Sequence, residues 1–331
     1  MIKVVKKIAV RVILLALLLV GLNYFYLYVQ YPHDLEMYSG KYVDMLAEAE
    51  DNDILFFGDC SDVYKEEDDT APSVSGFLDS IFPCQVATIS ENGFHPGTYV
   101  DLLKVLHHRG IKDKTIVMTL NLRGFAPKIV FDETYDPVLK HEMTLLRTDR
   151  PALVNRASML TPIITEEERK ELRTKIDYSW DNDALQHTVQ YPFTRYFWNI
   201  YPNAENRKLS LQDIGQSYIH DFAFLLDDDY EFVQIRTEQI KEFWQLADKM
   251  NCTLYFYIPP INDKEIYSYG GDELIRLLHE NLIWINSNYP YVIDHSLLFG
   301  GSKFVGPYAS SHYTEEGRRQ MAIELSKYLH E

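Results

Sequence analysis

The amino-acid sequence reads as an α/β protein whose five-stranded, mainly parallel sheet is covered on both faces, a three-layer sandwich. Five short apolar runs recur along the chain: ILFFG (54–58), QVATIS (85–90), TIVMTLNL (115–122), CTLYFYIPP (252–260) and YVIDHS (291–296). Segments of helical periodicity separate them, and strands alternating with helices give parallel strands under crossover helices. The first run stops at Gly58-Asp59-Cys60-Ser61, a small polar cluster at the edge where open α/β sheets carry their chemistry.

The first element lies outside that sheet. Lys3, Lys6, Lys7 and Arg11 precede an uncharged run from Val12 to Val29, about long enough to cross a bilayer. Tyr24, Tyr26, Tyr28 and Tyr31 fit an interfacial aromatic belt, and the basic flank places the N-terminus in the cytoplasm. Residues 1–31 are therefore expected to be an uncleaved, single-pass signal anchor in the cell membrane, with the remainder extracytoplasmic. A cleaved signal peptide and a soluble core helix are the alternatives, but no small-x-small cleavage site follows the apolar run. Residues 32–52 read as a juxtamembrane linker and helix, and 53–331 as one domain.

Composition narrows the function. The chain has 331 residues, 46% of them hydrophobic, enough for a substantial core. A net charge of −17 argues against nucleic-acid binding, which needs a basic face, and against anionic lipid surfaces except at the N-terminus. The three cysteines, Cys60, Cys84 and Cys252, are an odd number, which leaves at least one thiol free. Cys84 and Cys252 open strands that are not neighbours. Three strand spacings separate them by about 14 Å, against the roughly 7 Å a disulfide allows between Cα atoms.

Between the strands, TYVDLLKVLHHRG (98–110) closes on Gly110, a helix stop, and TEQIKEFWQLADKMN (237–251) repeats the amphipathic pattern. ELIRLLHENLIWINSN (273–288) does so again, and TEEGRRQMAIELSKYLHE (314–331) is a terminal helix capped by Thr314. The stretch 126–236 is too long for a simple crossover and reads as a helical insertion. Its aromatic-dense YPFTRYFWNIYP (191–202) lines a cleft or forms a local core.

Four loops at the carboxyl edge carry candidate chemistry. Cys60 opens a helix after the first strand, where free N–H groups and the helix dipole lower a thiol's pKa from about 8.5 toward roughly 3.5–7.5. Asp59 and Asp62 oppose that, although Asp62 is expected to turn to solvent. After the second strand comes ENGFHPGTY (91–99), with Gly97 at a helix start. After the third strand Asn121 offers an amide donor for an oxyanion, and Arg123 offers a cation for an anionic substrate or an internal carboxylate. His312 lies just ahead of the last helix.

In that order these blocks resemble the SGNH (GDSL-type) hydrolase family. Gly58-Asp59-Cys60 stands where the family has Gly-Asp-Ser, Asn92 to Gly97 keeps the second block's spacing, and Asn121 matches the third. Ala309-Ser310-Ser311-His312 stands where the family has Asp-x-x-His. The resemblance covers residues 53–331 apart from the insertion. It implies Cys60 as nucleophile with His312 as base, Gly97 and Asn121 as oxyanion donors, and Gly58, Asp59 and Asn92 as supporting residues. His95 and Arg123 become substrate contacts, and neither metal nor cofactor is required.

Two departures, Cys60 for Ser and Ala309 for Asp, leave three readings open. A thiol needs less help from an oriented base than a hydroxyl does, so a Cys60–His312 dyad is coherent without the acid. Alternatively Ser61 is the nucleophile of a loop shifted by one residue, or the site is inactive and holds glycan without catalysis. Asp294 is a stand-in for the acid or an orderer of its own loop. The resemblance together with one N-terminal anchor is similar to the membrane-anchored subunits of teichoic-acid D-alanylation and polysaccharide O-acetylation. It implies acyl transfer to a cell-surface glycan beside a membrane O-acyltransferase, or simple carbohydrate ester hydrolysis. Protease added to spheroplasts is expected to digest the domain beyond residue 31; full protection would contradict the topology.

Overall fold

In a computed structural model of the protein, residues 2–63, 69–83, 85–126, 130, 143–147, 149–160, 222, 224–305 and 312–329 are described. Helix α1 (Ile2–Phe25) carries Leu, Val and Ile on every side, and Val12 to Val20 remain exposed wherever they are large and apolar. Its 24 residues rise about 36 Å at 1.5 Å each, longer than the roughly 30 Å of a bilayer's hydrocarbon. One N-terminal helix is thus long and apolar enough to cross a membrane, with a mean hydropathy of 2.3 over its most apolar stretch.

A widened π turn, Tyr26–Gln30, joins α1 to α2 (Tyr31–Asp51). Pro32 stands at the start of α2 and has no N–H to give to the turn before it; the widened turn is where the helix absorbs that loss. The segment 32–52 is helical to Asp51 and does more than connect. Tyr42, Leu46 and Ala49 are fully buried in the core of the domain.

The sheet is entirely parallel. Strands β1 (Ile54–Gly58), β2 (Val86–Ser90), β3 (Thr115–Thr119), β4 (Thr253–Ile258) and β5 (Val292–Asp294) lie in the order β2-β1-β3-β4-β5. That order reverses direction at β1, between β2 and β3, and such a switch point opens a crevice at the strands' carboxyl ends. All five apolar runs of the sequence supply the strands.

Alternation along each strand feeds two hydrophobic clusters. Leu55, Phe57, Ile116 and Met118 join α2, α5 (Pro96–His108), α7 (Glu231–Lys249) and α8 (Asp263–Asn288). Ile54, Phe56, Val117 and Tyr257 join α4 (Val74–Ile81) and α9 (Glu315–Ser326). Two short elements complete the chain: α3 (Cys60–Val63), a single turn after β1, and α6 (Ala152–Ser158) within the insertion. Cys84 and the aromatic run 191–202 lie outside the described residues. Cys252 is a free thiol, pushed up by burial, and β2 stands three positions from β4.

Gly58 is required by space. A Cβ there would lie 2.5 Å from Ser90 Oγ and 2.9 Å from a Phe56 ring carbon. Gly97 is more tolerant, because the nearest atom to its Cβ, at 2.7 Å, is the end of the flexible Gln239 side chain. Gly58→Ala is expected to lower unfolding free energy by about 1–3 kcal/mol, the usual cost of overpacking, and Gly97→Ala by less. Urea denaturation of the two variants side by side checks the order.

Candidate active site

The site is built from β1 outward, and its centre is a buried carboxylate. Asp59 is 8% exposed. Its Oδ1 accepts the Ser61 backbone N–H at 2.8 Å, and its Oδ2 accepts the Asn121 side-chain amide at 3.0 Å. Burial pushes the Asp59 carboxyl up, while the Ser61 hydrogen bonds, the Arg123 charge and the Asn121 amide hold it down. Asn121 in turn accepts the Arg123 backbone N–H at 3.1 Å, which turns the chain into the short helix Leu122–Phe125. One carboxylate thus ties the loop after β1 to the loop after β3.

Cys60 and Ser61 are separated by exposure. Cys60 is a half-buried thiol, whereas Ser61 is 3% exposed and committed to Asp59 through both its N–H and its hydroxyl. Two expectations about Cys60 are corrected. The helix it opens, α3, is only four residues long, too few aligned peptides for a strong dipole. Asp62 does not turn to solvent: it is 1% exposed, accepts the Ser75 N–H at 2.7 Å and hydroxyl at 2.8 Å, and also bonds Ser90. Burial, with a smaller contribution from Asp59, pushes its carboxyl up. Ser75 accepts further from Thr88 at 2.9 Å, so Asp62 belongs to a polar network beneath the loop.

His312 is held by its neighbour. The Tyr313 hydroxyl donates to Pro260 O at 2.7 Å beyond β4, and the Tyr313 carbonyl accepts Arg318 Nη1 at 2.7 Å. Arg318 is fully buried and reaches on to Pro72 O at 2.9 Å and Asp69 at 2.6 Å, clamping the loop ahead of α4. The Val305 N–H bonds the His312 carbonyl at 2.9 Å. Burial first, and then the charge of Arg123, push the His312 imidazole down from 6.5 to about 4. His312 therefore rests neutral, as a proton acceptor, rather than as the cationic partner of a thiolate. Arg123 acts on both Asp59 and His312, which places all three in one electrostatic neighbourhood.

The loop after β2 plays a different part from the one its sequence implied. The Gly97 N–H donates to His95 Nδ1 at 3.1 Å, so it is spent on the helix cap and not aimed at an oxyanion. His95 is 6% exposed and caps α5, and Arg236 Nη1 also donates to its Nδ1, at 2.9 Å. Its Nδ1 is thus engaged by the fold rather than by substrate. Asn92 is exposed, with its N–H on Glu91 at 3.0 Å. Asp294 is exposed and accepts from Asn286 at 2.8 Å and the Ser296 N–H at 2.9 Å; it orders its own loop. Ala309 lies outside the described residues. Among the described residues, no three His, Cys, Asp or Glu side chains converge as a metal centre requires.

Two positioning residues were missed, Arg236 and Arg318. Arg236 also donates to Gly124 O at 2.7 Å, bracing the loops after β2 and β3 from behind. The signal was present: Arg236 falls in phase with Phe232, Val233 and Ile240, and Arg318 in phase with Met321, Ala322 and Leu325. A charge on the apolar stripe of a helix is a buried charge and needs partners.

No protein-family model matches the chain, and no curated protein matches its sequence.

The His312 shift has a sign. An unfolded histidine takes up a proton below 6.5, whereas folded His312 does so only near 4. His312 thus subtracts stability as pH falls from 6.5 toward 4. His312→Asn is expected to flatten the fall of Tm across that window relative to wild type. Parallel slopes for the two proteins would show that His312 is not buried neutral.

Proposed function

We propose that the protein is a membrane-anchored acyl-transfer enzyme that works through Cys60 and His312. The observation that carries this reading is that a half-exposed thiol after β1, Asn121 after β3 and a buried His312 ahead of α9 all stand in loops at the carboxyl edge of one parallel sheet, with Arg123 acting on both Asp59 and His312. Cys60 Sγ attacks the carbonyl of an activated acyl donor, and its proton passes to His312. The tetrahedral intermediate collapses, the donor's leaving group takes that proton, and a thioester remains. An acceptor hydroxyl then gives its proton to His312 and attacks the thioester, and the departing sulfur is reprotonated. Asn121 spends one amide hydrogen on Asp59 and has a second for the developing oxyanion.

The resemblance to SGNH-type hydrolases, with a three-layer domain, and the apolar N-terminal helix support a cell-membrane location with the domain outside. They also support a cell-surface glycan as acceptor and a membrane-embedded O-acyltransferase as partner. Ester hydrolysis is the same chemistry with water as acceptor. One observation favours a different class: burial and Arg123 both oppose a positive His312, which acyl transfer forms transiently. A catalytically inactive, glycan-holding domain would show the same feature.

Turnover of p-nitrophenyl acetate separates these readings. Cys60→Ala is expected to abolish it, and Ser61→Ala to retain it. Asn121→Ala is expected to lower kcat about 10²–10³-fold. It should also cost about 1–3 kcal/mol of stability, because buried Asp59 loses a donor. No turnover by the wild type, or full turnover by Cys60→Ala, overturns the proposal.

A further inference from the structure

The direction in which α2 crosses the domain is pinned at both ends. At its lower end Glu50 accepts Arg109 at 2.8 Å, and Lys114, just ahead of β3, pairs with Asp53 at 3.6 Å. These contacts lie at the amino ends of the strands. Farther up the helix Lys41 pairs with Glu91 at 3.8 Å, and Tyr42 stacks on Phe94 with ring centres 6.3 Å apart. Glu91 and Phe94 follow β2, so that level is the carboxyl edge. Helix α2 therefore runs antiparallel to the strands, and its beginning projects beyond the edge that carries Cys60, Arg123 and His312. From Lys41 back to Asn23, the first residue of the apolar helix that the domain still bonds, is about eighteen residues, or about 27 Å of helix.

The projecting part is braced. The Tyr31 hydroxyl donates to Leu145 O at 2.8 Å, and the Leu153 N–H donates to Asn23 Oδ1 at 2.9 Å. Arg156 pairs with buried Asp34 at 2.9 Å and lies over the Tyr38 ring. Met143 and Leu146, from the same segment, are packed in the domain core. Residues 143–147 and 149–159 thus form a strut between the junction of the apolar helix and the sheet.

We propose that the candidate site faces the bilayer and takes substrate borne by the membrane surface rather than dissolved in bulk. The proposal rests on α1 as a membrane span and, for the nature of the substrate, on the acyl-transfer reading. The acyl carrier it fits is a lipid-linked one, with its reactive group just above the headgroups.

The orientation is testable without any catalysis. Full-length protein is reconstituted in vesicles containing nickel-chelating lipid, a short-range quencher of a fluorophore on a single introduced cysteine. The native cysteines are replaced by serine, and circular dichroism checks the fold. Two exposed positions report the carboxyl edge, Asn92 and Ser302, and two report the amino edge, Lys112 and Asn288. Lys112→Cys and Asn92→Cys differ by about 17 Å along α2, so Asn92 is expected to be quenched several-fold more. The mean of the two carboxyl-edge positions should exceed that of the two amino-edge positions. If the cysteine-free background misfolds, a bio-orthogonal azide side chain at the same four positions, in the native sequence, gives the same comparison. Equal quenching at the two edges, or stronger quenching at Lys112 and Asn288, overturns the proposal and leaves the acyl chemistry untouched.

Discussion

The burial of one carboxylate organises the carboxyl edge of this sheet. Asp59 leaves solvent at the end of β1, and its oxygens must be supplied with donors from the protein. Ser61 and Asn121 supply them. Meeting that need folds the chain into the turn at Cys60, leaves the thiol half-exposed and buries the serine beside it. It also draws the end of β3 toward the end of β1 and brings Arg123 with it. Gly58 makes the arrangement possible, because β2 and the turn approach too closely for a side chain.

Around this centre the domain uses buried cations as braces. Arg236 joins the loops after β2 and β3, and Arg318 joins the residue beside His312 to the loop ahead of α4. Both sit on helices whose remaining inward faces are apolar, so the helices carry rigidity from the core into the loops. Arginine suits the task, since one planar group donates to several carbonyls at once. The result for His312 is a fixed, dry and neutral imidazole with Arg123 acting on it.

Much of the fold was legible in the sequence because parallel strands buried on both faces are short, continuous apolar runs. All five were readable as such, and the helix ends were marked by Gly110 and by the Thr314 cap. The placement of the candidate residues in loops at the carboxyl edge was legible, and their contacts less so. Gly97 sits where a spacing argument puts it, but its N–H is taken by His95, and no local pattern discloses a side chain on the same helix cap as its partner. Asp62 looked like a solvent-facing acid because its donors, Ser75 and Ser90, come from elements distant in sequence. The length of α3 could not be read either, since one turn has no period. Helix α2 was read mainly as a connector because its buried face, Tyr42, Leu46 and Ala49, is narrow and interrupted by charges.

The central claim is that Cys60, and not Ser61, receives an acyl group. The most direct measurement is intact mass after exposure to p-nitrophenyl acetate, followed by peptide mapping and treatment with neutral hydroxylamine, which cleaves thioesters far faster than oxygen esters. The account predicts a single acetyl on Cys60 that neutral hydroxylamine removes. A hydroxylamine-resistant acetyl on Ser61, or no adduct on either residue, would contradict it.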